Sequence, residues 1–411
     1  MTTVVETAPR VRAASRAVYA AFILSGFAGA SWASRIPQVR DALGLTPSRL
    51  GLVLLSIAGG SIISLLLAGH VVSRFGSRAT VAAMAVLLGV GLCVVAAGYR
   101  MGVVPVVIGL ACFGFANGAW DVAMNVQGAM VERKLGRAIM PRYHAGFSVG
   151  TVAGALAGAV AVALHVSVTA HLIVSGLLAT VIVVLSVRAF LPDDGGAEPA
   201  VTPSDPALVG SNAPVSERSR GGALAHWREP RTVLIGVFVL AFAFTEGAGI
   251  DWISVSMIDG YGTAAWVGTL AFATFLAAMT AGRWFGPPLL DRFGRVPVVR
   301  ALAVCSLAGL ALFIFGTATP VAFAGALLWG LGASLGFPVG MSAAADDPAH
   351  AAPRVSVVAS IGYCAFLGGP PLVGFLGDHV TVLKALLAVA VILVVAVALA
   401  GSVRPLKTSD R

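Results

Sequence analysis

Three polar side chains, Asn117, Asp121 and Asn125, lie within an apolar stretch that runs from about Val103 to Met130. Their spacing of four residues places all three on one face of a helix. In a bilayer, an ionised carboxylate at the centre of such a helix costs at least about 2.5–3.5 kcal/mol unless it faces protein or water. Burial favours the neutral form of a carboxyl group, so Asp121 could bind and release a proton near neutral pH. We predict that Asp121 carries a proton and that the two amides line a polar cavity.

A structural ion pair is the alternative role for Asp121. The residue precedes Met130 by roughly 14 Å of helix rise, which is close to the middle of a hydrocarbon core about 30 Å thick. No Lys or Arg of the same half of the sequence falls at that depth. The lack of a Lys or Arg at that depth in the sequence favours the functional interpretation.

Composition shows what must position these residues. The chain has 411 residues, of which 58% are apolar and only 11% charged, and its mean hydropathy is +0.93. Soluble domains contain about 25% charged residues. We therefore predict an all-α polytopic membrane protein of twelve transmembrane helices, near residues 17–37, 49–72, 79–98, 103–130, 144–164, 168–190, 232–256, 264–288, 297–317, 320–342, 355–376 and 381–403.

Basic residues set the expected orientation. If both termini lie in the cytoplasm, only five of the 27 Lys and Arg residues fall outside, namely Arg35, Arg40, Arg49, Arg100 and Lys384. Cytoplasmic loops carry the excess of basic residues in membrane proteins. This bias accounts for the net charge of +9, so we expect no nucleic-acid partner.

The signatures of a phosphate-binding P-loop and of a zinc protease are missing. No GxxxxGK[ST] or HExxH pattern occurs, and the four cysteines form no CxxC pair. We predict no enzyme activity, no cofactor and no metal site. An ion gradient acting through a buried acid is then the available energy source.

The chain divides into two similar halves. Residues 191–222 are rich in Pro, Gly, Ser and acidic residues, a composition typical of a flexible segment. We predict a first six-helix bundle at 1–190, a cytoplasmic linker with a short interfacial segment at 191–230, and a second bundle at 231–411. AGASWAS (28–34) matches AGIDWIS (248–254) at an offset of 220, and SRFG (73–76) matches DRFG (291–294) at 218. Duplicated bundles are typical of transporters, with the substrate site near the midplane between halves.

The loop GHVVSRFGSR (69–78) resembles the helix 2–3 signature of the major facilitator superfamily, Gly-x-x-x-Asp-Arg-x-Gly-x-Arg. Ser73 replaces the usual acid, whereas the second copy keeps Asp291 and has Pro287 for the leading Gly. The resemblance implies transport by alternating access. It also implies a cytoplasmic latch formed by Gly69, Arg74, Gly76, Arg78, Asp291, Arg292 and Gly294.

Shorter segments resemble particular branches of that superfamily. Trp120-Asp121 followed by Asn125 is similar to an element of the fucose/proton symporter branch, which implies a proton site at Asp121 and a sugar-hydroxyl ligand at Asn125. EGAGIDW (246–252) and GYCAFLGGPP (362–371) resemble segments of poorly characterised bacterial inner-membrane facilitators. That similarity implies a bacterial inner-membrane location and adds Tyr363 to the substrate-binding candidates.

Further candidates lie on the first and seventh predicted helices. Glu246 falls inside the membrane and is assigned to proton or substrate binding, with a structural hydrogen bond as the alternative. Asp251 lies near the outer end, where it could pair with Arg35 as a gate; alternatively Arg35 extends to water. Trp32 and Trp252 occupy matching repeat positions and could stack on a sugar ring or form an interfacial belt.

The fifth predicted helix carries glycines at four successive i+4 positions, Gly146, Gly150, Gly154 and Gly158. Small residues in such a row let another helix approach closely. We predict a packing groove here.

We therefore predict a monomeric, proton-coupled symporter of a small polar solute such as a sugar, whose partners are the solute, protons and the lipid bilayer. Two alternatives stay open. The first is a proton-coupled exporter of amphipathic compounds, and the second is a membrane receptor or scaffold that transports nothing. The identity of the solute, the direction of flux and the choice between H⁺ and Na⁺ are also open.

Overall fold

The computed structural model describes residues 2–193, 226–347 and 350–406, with side chains from residue 9 onward. All regular elements in these ranges are helical. The helices of the first half are α1 (Thr2–Ala33), α2 (Ile36–Leu43), α3 (Pro47–Gly98), α4 (Val103–Leu135), α5 (Met140–Ala163) and α6 (Val168–Ser186). Those of the second half are α7 (Pro230–Tyr261), α8 (Ala265–Phe285), α9 (Pro287–Phe293), α10 (Arg295–Phe315), α11 (Thr319–Ala333), α12 (Gly336–Ala344), α13 (Ala351–His379), α14 (Val382–Ala385) and α15 (Leu387–Leu399).

The prediction of twelve transmembrane helices is confirmed. Within the described ranges, 11 helical segments are long and apolar enough to cross a membrane. One of them, α3, has 52 residues and is interrupted at Gly76. A single span needs about 20 residues, so α3 supplies two spans.

The chain forms two compact units. Of the described residues, the first unit contains 2–45 and 53–193, and the second contains 46–52, 226–347 and 350–406. The predicted linker lies outside the described residues from 194 to 225.

The two copies of the loop motif adopt the same backbone conformation. Gly76 has φ 81° and ψ 160°, and Gly294 has φ 79° and ψ 164°. This region of backbone space is essentially restricted to glycine. The repeat detected in the sequence therefore extends to a shared break that separates the second span from the third and the eighth from the ninth.

Close helix crossings repeat in the same way. A methyl group added to Gly114 would collide with the carbonyl oxygen of Ile57, and one added to Gly330 would collide with that of Phe275. In each unit the fourth span thus rests on the backbone of the second. This contact fixes the rotation of α4 and therefore the direction of its polar face.

The glycine groove of α5 holds α1, as the spacing predicts. A side chain at Gly150 would meet the carbonyl oxygen of Ile23, and one at Gly154 would meet that of Phe27. Contact between the two backbones brings α1 next to the helices of its unit and positions Ser25 toward α4.

Two of the discontinuous spans in the described part of the chain break at a polar contact with arginine. The first breaks between α1 and α2 at Ser34 and Arg35, and the tenth breaks between α11 and α12 at Ser334 and Leu335. Interrupted helices in transporters expose backbone groups that bind ions or side chains. An arginine makes hydrogen bonds at each break: Arg35 at the first and Arg283 at the second.

Candidate functional site

The polar face of α4 is formed as the spacing predicts. Asn125 Nδ2 donates to the backbone carbonyl of Asp121 at 3.0 Å and to its carboxylate Oδ1 at 3.3 Å. Ser25 Oγ of α1 donates to Asn117 Oδ1 at 3.1 Å. The three predicted residues thus belong to one polar row, which α1 extends by a hydroxyl group.

Burial divides this row. The Asn125 side chain is fully buried, whereas Asp121 and Asn117 are partly exposed. Asn125 Oδ1 is also buried and has no hydrogen-bond partner among the described residues. An unsatisfied buried acceptor costs free energy, so Asn125 can gain stabilisation from a donor that enters the row.

Apolar packing surrounds the row on the other side of α4. Ala119 and Val122 are buried against Ala68 of α3, and Leu65 and Met84 pack around them. The Trp120 ring next to Asp121 is completely buried. Apolar side chains of the first unit therefore pack on one side of Asp121, and its carboxyl group is partly exposed on the side of the polar row.

Glu246 has a basic partner in the second unit. Arg283 Nη2 of α8 donates to Glu246 Oε2 at 2.7 Å. Arg283 Nε also donates to the carbonyl oxygen of Ser334, at the break between α11 and α12, at 3.2 Å. The pair joins three helices, which fits the structural alternative for Glu246 that the sequence left open. Sequence reasoning missed Arg283 because it lies near the end of α8 and was counted with the cytoplasmic residues.

Asp251 differs from Glu246. It is partly exposed, five residues further along α7, and makes no hydrogen bond or ion pair with any described residue. An acid within a span that has no counterion among the described residues can bind a proton, so Asp251 becomes a further candidate for proton binding.

Arg35 lies at the break in the first span and is 2% exposed. Its Nε donates to His171 Nδ1 at 2.9 Å, and its Nη2 donates to the carbonyl oxygen of Val166 at 3.0 Å. The alternative that Arg35 extends to water is therefore wrong. These bonds lie within the first unit and give the proposed gate no support; sequence analysis had assigned His171 no role.

Both matched tryptophans are buried inside their own units. Trp32 is 4% exposed and Trp252 is fully buried. Belt residues contact the lipid headgroup region, so the interpretation as a belt is wrong for both. Neither ring has a face that a solute could reach in this structure. Tyr363 on α13 is partly exposed, and its ring lies 6.2 Å from that of Phe366.

The loop motif of the first unit binds an acid that the sequence did not single out. The Asp193 carboxylate accepts from the backbone N–H of Ser77 at 2.9 Å and from the Ser77 hydroxyl group. Gln127 Nε2 of α4 donates to Ser77 Oγ at 3.0 Å and to the carbonyl oxygen of Leu191 at 2.7 Å. Glycine is needed at position 76 for a second reason besides its backbone conformation, because a Cβ atom there would collide with the Asp193 carboxylate.

In the second unit the ionic contacts fall one residue beyond the predicted latch. Arg295 Nη1 binds Asp346 Oδ1 at 2.7 Å, and Arg231 Nη2 binds the other carboxylate oxygen at 2.9 Å. Asp291 and Arg292 are exposed, and the Arg292 guanidinium group lies 5.1 Å from the centre of the Phe293 ring. Sequence analysis therefore identified the loop but not the residues that bind across it.

Most of the chain matches one family of known proteins. The family described as Major Facilitator Superfamily matches residues 18–367. The chain belongs to that family. An uncharacterized MFS-type transporter of Yersinia pestis is 30% identical, with 93% of this chain and 94% of the relative aligned. Membrane protein MosC of Rhizobium meliloti is 28% identical over 93% of this chain and 88% of its own length.

Solved structures of the same fold have low sequence identity. The nucleoside transporter NupG superposes with a TM-score of 0.73 at 14% identity and covers 94% of this chain and 98% of its own. FucP in the outward conformation gives 0.61 at 15% identity, covering 94% and 97%. These similarities establish the fold. Membership of the family makes the protein a multi-pass membrane transporter of small molecules and not an enzyme.

An ionic network in the second unit surrounds Glu229, which precedes α7. The Arg354 guanidinium group binds Glu229 Oε2 at 2.7 Å, the Thr232 hydroxyl group donates to the same oxygen at 2.7 Å, and His226 Nδ1 lies 2.8 Å from Oε1. Hydrogen bonding to Arg354 is the largest cause that lowers the pKa of Glu229 to about 2. Because this pKa is below its ordinary value of 4.5, the stabilisation is complete above about pH 4.5 and is lost as the pH falls toward 2.

Replacement Glu229→Gln should therefore lower the melting temperature at pH 7 and lower it by a smaller amount at pH 3. We expect the gap between the unmodified protein and the variant to narrow steadily below about pH 4.5. Melting curves of the purified protein in one detergent from pH 7 to pH 3 measure this gap. Asp291→Asn, at an exposed acid, is the matched control and should show no such narrowing. A Glu229→Gln gap of equal size at both pH values would contradict the assignment.

Proposed function

We propose that this transporter couples the movement of a proton to uptake of a small, hydroxyl-bearing solute, with Asp121 as the proton carrier. The observation that carries the proposal is the hydrogen bond of Asn125 to the Asp121 carboxylate within an apolar transmembrane helix. Both termini are taken to be cytoplasmic in a bacterial inner membrane, and the monomer is taken to be the working unit.

The amide of Asn125 provides a chemical link between proton and solute. An ionised Asp121 accepts a hydrogen bond from Asn125 Nδ2 and holds that amide. A protonated Asp121 is a weaker acceptor, because charge-assisted hydrogen bonds are roughly twice as strong as neutral ones. In a state of the transport cycle that opens the row, Nδ2 is then available to a solute hydroxyl group. Oδ1, which has no partner among the described residues, can accept from the same solute. Protonation and solute binding would thus favour each other.

Neighbouring polar groups suit a solute with several hydroxyl groups. Asn117 and Ser25 continue the row along α4 and α1. NupG is described as a nucleoside transporter, and FucP as a fucose:proton symporter. Nucleosides and sugars share a ring that carries hydroxyl groups, which is the solute class that amide and hydroxyl side chains recognise. Tyr363 in the second unit is the aromatic candidate for contact with such a ring.

Glu246 is less suited than Asp121 to carry the proton. Its carboxylate forms an ion pair with Arg283 at 2.7 Å, so it already has a fixed counterion within its own unit. Asp251 has no such partner among the described residues and is the second candidate for proton binding. Substitution of each acid in turn separates these roles.

Transport in proteoliposomes tests the proposal. A thermal-shift screen of sugars, nucleosides and amphipathic drugs first selects a ligand. We then expect an inward proton gradient to accumulate the radiolabelled ligand above its equilibrium level, and a protonophore to abolish the accumulation. Net flux against the direction of the proton gradient would instead support the exporter. Absence of any ligand-dependent flux with several stabilising ligands would contradict transport of this class.

A further inference from the structure

A basic cavity at one end of the first unit is independent of the polar row on α4. Its volume is about 690 Å³, and it lies between the start of α1, the start of the third span and the segment after α6. Three arginines line it, Arg10, Arg78 and Arg188, and all three are exposed. None of them forms an ion pair or hydrogen bond with a described residue. Three guanidinium groups around one cavity, with no ion pair to a residue that the structure describes, indicate an anion site.

The acid in the cavity wall does not neutralise these arginines. Asp193 lines the cavity, but its two carboxylate oxygens accept from the backbone and side chain of Ser77. The formal charge of the lining is therefore positive even with Asp193 ionised. Gln127 holds Ser77 from the opposite side, so the wall is anchored to α4.

Apolar groups form the rest of the cavity. Phe75, Ala79 and Ala82 line it from α3, and Val184 lines it from α6. The Phe75 ring is 66% exposed at the rim. A site for a free inorganic anion needs no such apolar surface, whereas a lipid headgroup with its attached glycerol and acyl chains does.

The apolar lining continues along the outer surface of the unit. The third span and α6 pack against each other, because the Thr180 hydroxyl group donates to the carbonyl oxygen of Ala85 at 2.9 Å. On either side of this contact, Val86 is 46% exposed, Val181 52% and Leu185 52%. In a protein that crosses the bilayer these side chains face acyl chains. A lipid whose headgroup occupies the cavity could lay its tails along this surface.

We propose that this cavity binds the phosphodiester headgroup of an anionic phospholipid, of the phosphatidylglycerol or cardiolipin type. Arg10, Arg78 and Arg188 bind the phosphate oxygens, and the rim at Phe75 contacts the glycerol backbone and upper acyl chains. The distribution of basic residues predicts that this end of the unit faces the cytoplasmic leaflet. Basic pockets between transmembrane helices on that side bind anionic headgroups in other membrane proteins.

Native mass spectrometry of the purified full-length protein tests the assignment. Dioleoyl phosphatidylglycerol is titrated into the detergent solution, with dioleoyl phosphatidylcholine as the neutral comparison. We expect saturable binding of phosphatidylglycerol that Arg10→Gln, Arg78→Gln and Arg188→Gln together weaken by about 100-fold, since each basic residue near an anionic lipid surface contributes about 1 kcal/mol. Higher ionic strength should weaken it as well.

A second triple variant provides the charge-matched control. Arg74→Gln, Arg133→Gln and Arg137→Gln remove the same charge from exposed arginines outside the cavity. Melting temperatures without lipid verify that both variants are folded. Equal loss of binding in the two variants, or none in the cavity variant, would overturn the proposal. Glycerol 1-phosphate or inorganic phosphate that competes as well as the lipid would also overturn it, in favour of a soluble phosphate ester.

Discussion

Replacement Asp121→Asn is expected to abolish proton-driven accumulation of the solute in proteoliposomes while solute exchange across the same membrane continues. Asparagine has the shape of a protonated aspartic acid but cannot release a proton. It still offers an oxygen to Asn125 Nδ2, so the contact measured at 3.3 Å can persist. The variant protein should therefore resemble the protonated transporter permanently and should still bind the solute.

Two measurements separate coupling from folding. Uptake of labelled solute is recorded with and without an imposed pH gradient, and exchange is recorded with unlabelled solute inside the vesicles. We expect the gradient-dependent component to vanish and the exchange component to remain. Asp259→Asn, at an exposed acid near the end of α7, is the matched control and should keep both. Gradient-driven accumulation at the original level in Asp121→Asn would contradict the proposal.

Asp251→Asn extends the same assay to the second unit. If Asp251 is the proton carrier instead, it is this variant that loses accumulation while Asp121→Asn keeps it. Loss in both would indicate that both acids take part in the proton path. A difference in accumulation between the two variants can be assigned to the lost proton-binding group, because neither substitution changes the size of the side chain.

The spans and the repeat could be predicted from the sequence, because both depend on local properties. Bilayer thickness fixes the length of an apolar segment, and the polar row of α4 follows from helical periodicity alone. The loop motif was visible for a related reason. Gly76 and Gly294 adopt a backbone conformation that only glycine tolerates, so the residue type records the geometry directly.

Contacts between distant residues could not be predicted in this way. Arg35 binds His171, 136 residues away, and Arg283 binds Glu246 over 37 residues. Which arginine reaches which acceptor depends on where a helix breaks and on how neighbouring helices are rotated. Pro37 and Pro338 follow the breaks at Ser34–Arg35 and Ser334–Leu335 within the first turn of the next helix, but a proline does not tell which side chain binds at the break. The burial of Trp32 and Trp252 was missed for the same reason: position along a span does not tell which side faces lipid.

The substitution Arg283→Gln should destabilise the second unit by about 3 kcal/mol, at the low end of what is typical when one partner of a buried ion pair is removed. It leaves the Glu246 carboxylate inside the membrane without its counterion and the Ser334 carbonyl oxygen without its donor. The low end applies because the two side chains are 18% and 29% exposed and retain some access to water. Denaturation of the purified protein followed by intrinsic fluorescence measures the change.

Two companion variants assign that loss to its cause. Arg283→Gln combined with Glu246→Gln removes the uncompensated charge, so we expect it to recover a large part of the stability that Arg283→Gln loses. Arg283→Lys keeps a positive charge near Glu246 but loses the planar fork that serves the carboxylate and the Ser334 carbonyl oxygen together. It should therefore give an intermediate value. If the double variant is no more stable than Arg283→Gln, an unpaired Glu246 is not what destabilises the protein. The lost stability would then come from the contact of Arg283 with the break between α11 and α12.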